Sequence, residues 1–208
     1  MKKLISFLIL MTAISCVSLP ETLKKKGSAD LSIIAISFVL QAPIAFFSKD
    51  ASEVLFVKLA DPKDKKATPK VFQSNFTANG YVYLINAEPG TYTVILAGAA
   101  KQNQNDTPVI HYLDNESIAK ISIKVNKNEF VYAGRFTTSS SQDDVAWSRV
   151  DAGNRTHSLS STDNSTYARS LLYAGFLQKV ESTDADKQRL IGKAKEVFNE
   201  SEWASIIK

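Results

Sequence analysis

The chain of 208 residues has one cysteine and two histidines. A single Cys excludes an intramolecular disulfide framework, and two His exclude a multi-histidine metal site. Glycine and proline are also scarce, at 8 and 6. No G-K-S/T sequence is present, so a phosphate-cradling loop is not encoded. There is no G-x-S-x-G, and His157 is merely adjacent to Ser158. Adjacency in a loop sets no nucleophile geometry, so hydrolase chemistry is not indicated and no catalytic residue is assigned. No run of basic residues with interleaved aromatics occurs, which argues against nucleic-acid binding. What remains is a globular composition, 44% hydrophobic and 22% charged, of a size for one domain.

The ends of the chain are better marked than its middle. Lys2 and Lys3 precede the apolar run Leu4–Met11, then Thr12, Ala13, Ile14, Ser15 and the lone Cys16. A basic start, a short apolar stretch and small residues before a cut describe a secretory signal peptide, too short to span a bilayer. With cysteine next after Ser15, residues 1–15 resemble a bacterial lipoprotein signal of the spirochaete type. Ala13 and Ser15 stand where enteric signals carry Leu and Gly or Ala. The resemblance implies acylation of Cys16, anchorage in the cell envelope and loss of residues 1–15. Val17-Ser18 lacks the aspartate that retains enteric lipoproteins at the inner membrane, which points to the outer membrane.

Residues 16–30 then read as a lipidated cysteine and a polar tether. Lys24, Lys25 and Lys26 are solvated there, or meet anionic headgroups. Leu31–Phe47 is uncharged, but Ser32, Ser37, Gln41 and Pro43 interrupt it. Its β-branched and aromatic content reads as strands rather than a membrane span. Further strands are expected at Glu53–Ala60, Val71–Phe76, Gly80–Asn86, Thr91–Gly98, Val109–Tyr112, Ile118–Val125, Glu129–Thr137 and Ala168–Val180. Pro89-Gly90 is a turn signal, and makes Gly80–Gly98 the clearest hairpin candidate. Residues 138–166 are rich in Ser, Thr, Asn and Asp and read as a polar insertion loop. Near 184–198 a helix is expected, capped by Thr183, with Leu190, Ile191, Ala194, Val197 and Phe198 on one face.

The fold expected for residues 31–208 is mainly β, an antiparallel β-sandwich with the C-terminal helix packed on it. The stretches GYVYLINAEPGTYTVILAG and HYLDNESIAKISIKVNKNEFVYAGRF, with a late Trp203, resemble prealbumin-like domains of spirochaete-type lipoproteins of unknown function. That resemblance implies fold and envelope location and carries no catalytic residues, cofactor or metal.

The function expected is therefore non-enzymatic. A membrane-anchored envelope lipoprotein would act through envelope or host protein or matrix contacts, with the 138–166 loop and its Trp147 as the contact candidate. The alternatives are a calcium- or carbohydrate-binding module using loop carboxylates such as Asp143, Asp144, Asp151 and Asp163, or a structural subunit of an envelope complex. No EF-hand spacing supports calcium.

Overall fold

The computed structural model describes residues 23–27, 30–41, 48–61, 68–100, 108–141 and 171–208. The protein is mainly β with one C-terminal helix. Among the described residues, eleven strands form one curled, mixed sheet. They are β1 Ser32–Gln41, β2 Ser48–Asp50, β3 Glu53–Lys58, β4 Lys70–Gln73, β5 Phe76–Ala78 and β6 Tyr81–Ala87. The rest are β7 Gly90–Ala99, β8 Val109–Leu113, β9 Ile123–Val125, β10 Phe130–Ser141 and β11 Leu171–Glu181. The α-helices of the described residues are α1, Asn115–Lys120, and α2, Asp184–Phe198.

The sheet order is β4-β3-β7-β8-β11-β10-β1-β6-β5, with β2 on β1 and β9 on β7. Its two end strands are consecutive in the chain. Ser74 N donates to Val54 O of β3 and Asn75 N donates to Tyr83 O of β6, so the link between β4 and β5 bonds both ends of the curl. Asn75 strengthens the corner, accepting from Ile85 N at 2.8 Å and donating to Ile85 O at 2.9 Å. Sheet edges are bonding templates, and this corner occupies part of both.

Inside the curl, Ile34, Ile36 and Phe38 of β1 and Val82 and Leu84 of β6 share one core with Val54, Phe56, Val94 and Ala97 of β3 and β7. The alternate residues Ile33, Ala35, Tyr83 and Ile85 face outward under α2, against Leu190, Ile191, Ala194 and Phe198. β1 is thus buried on both faces, which is why its sequence between Ile33 and Leu40 is apolar on both faces, with only the buried Ser37 between, rather than alternating.

Several expectations are corrected. The sheet is not wholly antiparallel: β1 runs parallel to β10, and β8 parallel to β11. Gly80–Gly98 is not a hairpin. β6 pairs with β1 and β5, and β7 with β3, β8 and β9. Gly90 has φ +152, far from the +80 or so of a type II turn, and the chain crosses there between the halves of the curl. Ile118–Val125 is not one strand, because its first part belongs to α1. Asp114 caps that helix by accepting from Ser117 N at 3.0 Å, and Lys120 pairs with Glu116 one turn back. Only from Ile121 does alternation govern, with Ile121, Ile123 and Val125 buried and Ser122 and Lys124 exposed.

α2 matches its expected limits. Thr183 Oγ1 accepts from Asp186 N at 3.1 Å and donates to Asp186 Oδ2 at 2.6 Å. No helix among the described residues is long and apolar enough to cross a membrane.

Candidate functional site

Both site residues named from sequence, Cys16 and Trp147, lie outside the described residues, as do residues 142–166 of the insertion loop with His157 and its carboxylates. The start of that loop is corrected: Thr138–Ser141 is the end of β10, and Thr138 is fully buried. The tether is corrected in part as well. Residues 23–26 are not a free linker but are docked on the domain.

Four bonds and one ring contact make this clamp. Trp203, completely buried, donates from its indole Nε1 to Leu23 O at 2.9 Å. Leu23 is itself buried in the cluster under α2, beside Phe198 and Ile207. Asn86 closes two bonds with the next residues, donating to Lys24 O at 3.0 Å and accepting from Lys26 N at 2.8 Å. The Lys25 ammonium lies 5.2 Å from the centroid of the Trp203 ring and donates to Asn128 Oδ1 at 3.1 Å.

Asn86 and Asn128 both have positive φ, at 67 and 53. Asparagine tolerates that backbone better than other L-residues; Asn86 is the extra residue at the register shift of β6 against β1, Asn128 lies in the turn before β10, and both amides meet the incoming chain. Sequence reading placed Asn86 at a strand end and Asn128 in a turn. Their shared task had no sequence signal, since the partners lie about sixty and a hundred residues away.

Lysines gather round the clamp. Lys24, Lys26 and Lys127 are exposed, and Lys127 reaches Asp30 at 2.6 Å. Glu129 is turned back on Asn126, which donates to it from both backbone and side chain at 3.0 Å.

A second polar constellation is internal. His111 of β8 is fully buried, with Nδ1 2.9 Å from Thr138 Oγ1 and its ring edge-on to Tyr173. Among the described residues its Nε2 has no hydrogen-bond partner. Burial holds the imidazole pKa down to about 4, so the ring is neutral near pH 7. A neutral, enclosed imidazole is a packing group rather than a base open to substrate. Tyr83 is its counterpart under α2. Its hydroxyl is buried without a hydrogen-bond partner among the described residues, and desolvation raises its pKa.

One open cleft, of about 370 Å³, is lined by Arg135, Lys179, Glu181 and Asp186 among others. Its charges are mixed: Lys179 pairs with Glu181 at 2.8 Å, and Asp186 with Arg189 at 3.4 Å. The Thr183 hydroxyl, then Arg189, holds the Asp186 carboxyl below its usual range. Among the described residues no three His, Cys, Asp or Glu side chains converge on a point that would hold a metal ion.

Compared with known proteins, the chain matches no family model, no curated protein and no solved structure.

Proposed function

We propose that this is an acylated envelope protein, anchored through Cys16, whose β domain acts by contact with a protein or matrix component rather than by catalysis. The observation that carries the reading is the order Lys2-Lys3, Leu4–Met11, Ser15-Cys16, with the one cysteine of the chain at the only place where acylation would use it. The docked segment agrees with it. A chain that emerges from a bilayer and then meets a clamp at Leu23 transmits the anchor to a folded body, not to a loose tail. In the same reading the facing halves of the curled sheet are the layers of a prealbumin-like sandwich, and the outer membrane is the site of anchorage.

The test is detergent phase partition of the wild type and of Cys16→Ala, with protease added to intact cells. A detergent-phase wild type and an aqueous mutant are the expected pair. Removal by protease then marks a surface protein and directs the search to external partners. Resistance marks a periplasmic face, with crosslinking to envelope proteins as the next step. If the mutant partitions like the wild type, the acyl anchor is wrong.

A further inference from the structure

We infer that the pole of the domain around Leu23–Gly27 and the Asn126–Glu129 turn is a seat for an anionic phospholipid surface, which holds the domain upright with the opposite pole outermost. The inference rests on acylation of Cys16 and says what that anchor does to orientation.

The first argument is length. Only residues 17–22 separate Cys16 from the clamp at Leu23, and seven peptide steps reach at most about 25 Å. Had the chain been free as far as β1, the domain could tumble on its anchor. Docked at Leu23, it presents this pole first.

The second argument is the direction of the strands. β1 and β10 are parallel, and both begin at this pole, where Ser32 Oγ donates to Asn126 O and Ile33 N donates to Glu129 O. β10 then runs twelve residues, about 36 Å at ~3.3 Å per residue, to Ser141. β11 pairs there, Ala174 with Ser141. The far end of these strands therefore stands off the bilayer.

The third argument is charge. Lys24, Lys25, Lys26 and Lys127 surround the attachment point against the carboxylates Asp30, which is paired with Lys127, and Glu129, so these six groups leave an excess of two positive charges. Lys25 is held in place by Trp203 and Asn128, whereas Lys24 and Lys26 are exposed. Lysines fixed beside an anionic leaflet each favour the seated state by about fivefold.

The experiment uses the full acylated chain in phosphatidylcholine vesicles, with and without phosphatidylglycerol, carrying a headgroup quencher. With Cys16 acylated, an introduced cysteine is the sole thiol for a fluorophore. One is placed at Ser205→Cys, beside the clamp, the other at Gln178→Cys on β11. The result expected is quenching at 205 and not at 178 in anionic vesicles. Replacing Lys24, Lys26 and Lys127 together by Gln should remove that contrast while the protein still floats with the vesicles. Equal quenching at both positions in floating protein overturns the seat and leaves the anchor standing. Contrast that is the same without phosphatidylglycerol, or that survives the triple replacement, overturns the lipid-charge basis. Protein that does not float, or floats equally as Cys16→Ala, overturns the anchor and the seat with it.

Discussion

The indole of Trp203 and the backbone carbonyl of Leu23, 180 positions apart, are joined by a 2.9 Å hydrogen bond inside an apolar cluster. The bond lies where the chain enters the domain and where it ends. It ties the first described segment to the turn that follows α2.

Trp203→Phe keeps most of the ring and removes the donor. A buried carbonyl left without its partner costs about 1–3 kcal/mol. The expected outcome is a lower urea midpoint together with faster amide exchange at Lys26, whose N–H is held by Asn86. Unchanged exchange there would show that Asn86 alone holds the segment.

Two glycines should respond oppositely to alanine. A Cβ at Gly175 would stand 2.8 Å from the Cβ of His111, two strand backbones that cannot both yield. Gly175→Ala is expected to cost about 1–3 kcal/mol by overpacking. Gly192 is exposed on α2 with nothing near its Cβ position, and Gly192→Ala should add about 0.5–1 kcal/mol. Thermal melts of the two variants check the pair.

His111 makes stability depend on pH. Its folded pKa is about 4 and its ordinary value 6.5, so between them the unfolded chain binds the extra proton. Stability is then full above about pH 6.5 and falls as pH drops toward 4, by up to about 3 kcal/mol. Urea midpoints of the wild type and His111→Gln, taken across that window, isolate this contribution from the carboxylates. Parallel curves would mean that the imidazole keeps its ordinary pKa.

Removing the cap of α2 should loosen the helix before the sheet. Thr183→Ala loses the bonds to Asp186 N and Oδ2 and is expected to cost about 1 kcal/mol. The drop should appear in the melting temperature, with Thr183→Ser, whose hydroxyl can make both bonds, recovering the loss.

The legible parts of this chain are those in which the deciding residues are close in sequence. Thr183, the acidic first turn and the Leu190, Ile191, Ala194, Phe198 spacing lie within sixteen residues, and α2 forms where they place it. The alternation of Ile121, Ile123 and Val125 is likewise local and correctly read, but the cap at Asp114 displaces the residues before it into α1. Pro89-Gly90 was misleading for a different reason. A turn signal states that the chain bends, not that the strands on either side become partners. Of the clamp, the lysines were visible as a cluster, whereas Asn86, Asn128 and Trp203 became a site only when three distant segments met.

By itself the sequence determines the kind of each well-patterned element, the charge-free strand β1 and the amphipathic helix α2, because burial periodicity and capping act within a few residues. Which strands pair is decided by the tertiary structure alone. β6 beside β1, β10 parallel to β1, and Ser74-Asn75 bonded to both ends of the curl depend on which apolar faces can be enclosed together. That is a property of the whole core, and no single segment contains it. The docking of Leu23–Lys26 is of the same kind. The backbone groups it offers are common to every residue, and only the folded positions of Trp203 and Asn86 select them.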